Sequence, residues 1–249
     1  MTAPTGVPVW NRRLHAKLHK VGDSVVDKPP LPIYSDLQEV FAAMLRARVK
    51  AGYQNVVAVV GGTGSGKSAW TLNECYLMDP YFLLDGNYIY TNKDLAAKIE
   101  KPMDAVSKIN WFDEGSVILN SNKHGTKESV DIVVLFDTLR SRGMTTFICI
   151  PELRSLNNRI RDDHVDFLVV CGEKAPLPGY SKRGFFKLFA KTKPSTFKTS
   201  VYWEPLAWGI YRMPRKALWD EYQEYKREAQ RRLVEDFVRR HGEDEEAEA

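Results

Sequence analysis

Asn55-Val56-Val57-Ala58-Val59-Val60 runs straight into Gly61-Gly62-Thr63-Gly64-Ser65-Gly66-Lys67-Ser68. The first part is apolar and mostly β-branched, as in a strand buried on both faces. The second matches GxxxxGK[ST] at every fixed position. Glycines allow backbone conformations closed to other residues, so successive N–H groups can converge on phosphate oxygens. A helix opening at Lys67 would add its positive end. In such a loop the lysine reaches the β- and γ-phosphates and the Ser hydroxyl serves Mg²⁺. The stretch Gly61, Gly62, Thr63, Gly64, Ser65, Gly66, Lys67, Ser68 and Ala69 is therefore the expected cradle for ATP. The competing reading is a glycine-rich turn that fits by chance, but a buried strand before it and a helix after it are the context a real P-loop requires.

Downstream, Trp111-Phe112-Asp113-Glu114 places two acids at the end of an apolar run. This is the Walker B pattern: Asp113, with Ser68, for the metal shell, and Glu114 to orient and deprotonate an attacking water. An acidic pair alone is common in surface turns. After a strand and below a P-loop it points to hydrolysis rather than transfer to a second substrate.

Other segments alternate. Helices are expected over 35–50, 68–77, 93–100 and 128–142, and strands over 55–60, 87–90, 108–112, 145–150 and 165–170. Ser35 and Gln38 have capping-box spacing. The fold class is α/β: a P-loop NTPase, RecA/ASCE-like, with a mostly parallel sheet flanked by helices and a C-terminal helix.

The expected organisation is an extended basic arm (1–34), the P-loop ATPase domain (35–203), a C-terminal helical extension (204–241) and a disordered acidic tail (242–249). Five prolines in the arm forbid a long helix there. A hydrophobic content of 43% is enough to build a core. The net charge of +4 understates how basic the body is, because Glu243-Asp244-Glu245-Glu246 concentrates acid at the end. The three cysteines, Cys75, Cys149 and Cys171, are far apart and form no CxxC pair, so neither a zinc site nor a disulfide framework is indicated. The N-terminus lacks a secretory apolar region and no run is long enough to span a bilayer, so the expected location is cytoplasmic.

Residues 174–203 carry no acid between Lys174 and Trp203. Lys182, Arg183, Lys187, Lys191 and Lys193 are candidate DNA contacts, since basic side chains track a phosphate backbone and interleaved phenylalanines can stack on bases. The alternative is a hairpin with phenylalanines in the core and lysines in water. The basic N-terminal residues Arg12, Arg13, Lys17 and Lys20 are weaker candidates. In the terminal helix Trp219, Tyr222, Tyr225 and Leu233 suggest one apolar face, leaving Lys226-Arg227 and Arg231-Arg232 as the wet face.

The order of P-loop strand, short strand, acid-ending strand, helix ending Arg140-Ser141-Arg142-Gly143, and strand 145–150 resembles the FtsK–HerA superfamily of DNA-pumping ATPases. Within it the chain is most similar to compact ATPases of viruses and mobile elements, both DNA-packaging and zonular-occludens-toxin-like. The resemblance covers roughly 55–170. It implies a homo-oligomeric ring, commonly a hexamer, acting on double-stranded DNA, with a possible portal or membrane-associated partner. It also implies an arginine near the γ-phosphate, often from a neighbouring subunit: Arg140 or Arg142, with Arg159 and Arg161 as second candidates. Many members end the fourth strand with a polar sensor, commonly Gln; here Pro151-Glu152 stands there, a departure. The alternatives are a virion assembly or extrusion ATPase, whose relatives usually carry a transmembrane segment, and a nucleotide-dependent switch or kinase. For the last, neither an arginine-rich lid nor an NKxD element in the right place is evident.

Overall fold

The run Asn55–Val60 forms a central strand, and both its faces are covered. The computed structural model describes residues 20–23, 31–100, 108–119, 134, 136–137, 142–172, 184–192 and 202–247. In chain order its strands are β1 (Lys20–Asp23), β2 (Pro32–Tyr34), β3 (Asn55–Val60), β4 (Tyr88–Ile89), β5 (Ile109–Phe112), β6 (Thr145–Ile150), β7 (Phe167–Cys171), β8 (Phe185–Thr192) and β9 (Tyr202–Ile210). Among the described residues the α-helices are α1 (Leu37–Lys50), α2 (Lys67–Met78), α3 (Asn92–Glu100), α4 (Gly115–Ile118) and α5 (Lys216–Ala247); all but a few residues of the helix expected over 128–142 lie outside them.

Among the described residues these strands make one sheet, ordered β1-β2-β9-β8-β7-β3-β6-β5-β4. The block β7-β3-β6-β5-β4 is wholly parallel. Its strands end on one edge, so the connections after β3, β5, β6 and β7 gather there, where open parallel sheets bind ligands. β8 runs antiparallel to β7 and to β9.

Side chains alternate along β3. Val57 and Val59 face a cluster that includes Phe147, Trp111, Phe167, Trp70 and residues of α1 and α5. Val56, Ala58 and Val60 face a second cluster with Ile148, Phe112, Phe136 and Ile160. Every β3 residue is buried, which explains the unbroken apolar run. Buried Asn55 ties the lower edge together, its Nδ2 donating to Thr145 Oγ1 at 2.9 Å and to Leu45 O at 3.2 Å.

The structure departs from the sequence expectations in three places. The helix α1 starts at Leu37 behind Asp36, with no side-chain cap bond. Gln38 is buried and its Nε2 donates to Trp70 O at 2.9 Å, so it fastens α1 to α2 instead of closing a capping box. The sheet also crosses the expected boundaries at 34/35 and 203/204. Ile33 pairs with Trp208 and Tyr34 with Gly209, so part of the arm and the start of the expected C-terminal extension are sheet strands. Finally, α5 continues to Ala247 through the acidic segment expected to be disordered. Glu and Ala are good helix formers, and in 242–247 they outnumber Gly242 and Asp244.

Candidate functional site

The P-loop leaves the upper end of β3 and turns into α2 at Gly66. Gly66 has φ +94°, and a Cβ there would collide with the Tyr211 hydroxyl. Gly61 is equally constrained: its φ is +151°, and a Cβ would strike Cys171 O. The loop is thus packed from behind by the ends of β7 and β9. Tyr211 also donates to Ser65 O at 3.3 Å. Lys67 Nζ lies over its own loop, donating to Gly61 O at 2.7 Å and Gly62 O at 3.1 Å.

Asp113 follows β5 and is almost fully buried. An unpaired carboxylate there would be costly. Its two oxygens are both engaged. Ser68 Oγ donates to Oδ1 at 2.8 Å. Oδ2 accepts from Tyr222 at 2.6 Å, Lys226 Nζ at 2.9 Å and Tyr88 at 3.2 Å. Glu114, half-exposed, accepts from the same Lys226 at 3.2 Å. Burial, then the charge of Asp113, push the Tyr88 and Tyr222 hydroxyls well above the usual phenol range, so both stay protonated donors. Burial alone would lower Lys226, but Asp113 and Glu114 outweigh it and leave the ammonium above its ordinary value.

A cavity of about 660 Å³ opens between these groups. Residues 63–69 form one wall, Met213, Trp219, Gln223 and Lys226 the other, with Asp113 and Glu114 between them. A hydroxyl and a carboxylate side by side are hard oxygen donors suited to Mg²⁺, which takes few protein ligands and completes its shell with phosphates and water. Ser68 and Asp113 would hold it.

The structure brings together the P-loop residues, Asp113 and Glu114. It does not bring Arg142 to them. Arg142 precedes β6, whose first residue pairs with Asn55, so it lies at the opposite end of the sheet. Six residues of strand separate those ends, roughly 20 Å at about 3.3 Å per residue. Arg140 lies outside the described residues. Arg161 is paired with Asp162 at 2.7 Å and Arg159 is exposed. Glu152 is exposed and paired with Arg154.

In the basic stretch Phe185 and Phe186 are buried, so they pack the sheet and are not free to stack on bases. Lys187 Nζ sits over Phe189 at 5.0 Å and Trp208 at 5.5 Å, and Lys191 donates to Asp162 O. Lys182, Arg183 and Lys193, with Arg12, Arg13 and Lys17, lie outside the described residues; Lys20 begins β1.

Lys226 belongs to the site, not to the wet face of α5. Tyr222 and Tyr88 were likewise not singled out for the site from sequence. One signal was present. Trp219, Tyr222, Lys226, Ala229 and Leu233 follow a three-four spacing, which puts a lysine in the middle of an apolar stripe. A cation in that position needs a buried acid.

No protein-family model and no curated protein sequence matches the chain. Among solved structures it is similar to the N-terminal domain of zonular occludens toxin from Neisseria meningitidis, with a TM-score of 0.41 and 17% identity over 68% of this chain and 98% of that one. It is also similar to the genome packaging NTPase B204 from Sulfolobus turreted icosahedral virus 2 in complex with ATP-gammaS, with a TM-score of 0.38 and 12% identity over 61% and 98% of the two chains. On its own sheet order, with β6 running between the P-loop strand and the acid-bearing strand, the chain has the α/β fold of a RecA/ASCE-like P-loop NTPase.

Proposed function

We propose that this chain is an ATP-hydrolysing motor of the FtsK–HerA type that translocates double-stranded DNA for packaging or transfer of a viral or mobile-element genome. The observation that carries the ATPase part is the 2.8 Å contact between Ser68 and Asp113, with Glu114 next in the chain. Backbone N–H groups of residues 61–69 and the Lys67 ammonium bind the phosphates. Bound Mg²⁺ would supply charge neutralisation at the transferring phosphoryl group. Glu114 takes the proton of the attacking water. Arg142 lies at the far end of the sheet from the P-loop of its own chain, which supports reading the arginine as one supplied by a neighbouring subunit of a homo-oligomeric ring, with Arg142 and Arg140 as the candidates. We place the motor in the cytoplasm, working with a portal or membrane-associated partner; among the described residues no helix is long and apolar enough to cross a membrane.

The second reading is a virion assembly or extrusion ATPase that does not move DNA. Burial of Phe185 and Phe186 and the internal contacts of Lys187 and Lys191 favour it, because they remove part of the expected DNA surface. Steady-state hydrolysis, with and without double-stranded DNA over a range of protein concentration, separates the two. A rate that rises with DNA and more than proportionally with protein supports the translocase. A rate indifferent to DNA and proportional to protein supports the second reading.

A further inference from the structure

We propose that Lys226 is an internal counter-ion that restrains the site: in the absence of nucleotide its ammonium holds Asp113 and Glu114 together, and the metal–nucleotide complex engages the two acids only by displacing it. The inference rests on the ATPase reading above. Lys226 Nζ lies 2.9 Å from Asp113 Oδ2 and 3.2 Å from Glu114 Oε1, so one cation serves both carboxylates. It comes from α5, more than a hundred residues away in sequence, not from the P-loop or its own strand. One helical turn earlier, Tyr222 bonds the same Oδ2 and its ring stacks on Trp111, with centroids 5.1 Å apart and planes 18° apart. The lysine is therefore delivered by a packed anchor, and it projects across the cavity onto the acids.

Two chemical consequences follow. While Lys226 lies on Glu114, the ammonium occupies the carboxylate oxygen that an attacking water would have to reach. A divalent cation and an ammonium also compete for the same oxygens, so part of the metal's binding free energy is spent on displacement. The contact thus slows basal turnover and ties the side of α5 that carries Lys226 to the nucleotide state of the site.

The test compares wild type, Lys226→Met and Lys226→Arg. It measures the affinity of a fluorescent ATP analogue in EDTA and across a Mg²⁺ titration, alongside basal hydrolysis. Methionine keeps the length and packing but removes the charge; arginine keeps the charge and controls for folding. The expected result is that Lys226→Met binds the analogue more weakly in EDTA, gains about tenfold more affinity from Mg²⁺ than wild type, and hydrolyses faster, while Lys226→Arg keeps the wild-type Mg²⁺ dependence of binding. If Lys226→Met shows the wild-type Mg²⁺ dependence, or hydrolyses more slowly, the proposal is wrong and Lys226 is a structural or catalytic cation. If neither wild type nor the variants bind the analogue, the ATPase reading itself fails.

Discussion

The Ser68 hydroxyl donates to Asp113 Oδ1 at 2.8 Å, although β6 runs between the strands that carry them. Neighbouring strands lie about 4.8 Å apart, so β3 and β5 are about 10 Å apart. The contact is possible because the P-loop turns back over the end of β6, where Gly61 N donates to Pro151 O at 3.2 Å. Loop geometry and sheet order together bring a hydroxyl and a carboxylate side by side from residues distant in sequence.

Lys67→Ala removes the only lysine of the P-loop. Charge-assisted hydrogen bonds contribute about 1.5–3 kcal/mol each. Loss of two to phosphate oxygens should weaken ATP binding by about a hundredfold or more. Titration calorimetry checks it, and retained tight binding would sink the P-loop assignment.

Glu114→Gln keeps the shape of the side chain and its place on the rim of the cavity. Nucleotide affinity should stay close to wild type while turnover falls by about 10²–10⁴, the usual range for a general base. Single-turnover hydrolysis with saturating ATP reads this directly. Unchanged turnover would assign the base to another group.

Gly66→Ala should fail for two independent reasons. A residue with a Cβ pays about 1–2 kcal/mol in the left-handed region. The new methyl also meets the Tyr211 hydroxyl, which must move from its place behind Ser65. The melting temperature should fall by several degrees, and ATP affinity should fall with it. A variant that melts and binds like wild type would show that the loop does not need this conformation.

The parallel block and the P-loop were legible because their signals are local. The run 55–60 and the motif that follows it need no distant partner to be read. Asp113 and Glu114 were legible because an acid after an apolar strand is a local pattern as well. What sequence did not show depends on long-range pairing. Lys226 looks like any solvated helix cation until α5 is laid across the sheet edge. Phe185 and Phe186 look available for stacking until β8 pairs with β7. The pairing of β2 with β9 joins Ile33 to Trp208 and Tyr34 to Gly209, and neither strand carries a mark of the other.

Glu74 offers a test of the core that is independent of the nucleotide. It lies on α2, fully buried, with its carboxyl driven well above the ordinary value of 4.5; burial is the main cause, and the nearby Gln38 amide offsets only part of it. The folded protein therefore holds this proton at pH values where the unfolded chain has released it. Stability from this group is present below about pH 4.5 and declines as pH rises above it toward the raised folded value. Glu74→Gln keeps the shape and carries no titratable proton. The variant should unfold at higher urea concentration than wild type at pH 8, and the gap should narrow at pH 5. Urea melts of both proteins at the two pH values measure it. A gap that does not depend on pH would mean that Glu74 folds with its charge, held by a partner stronger than Gln38.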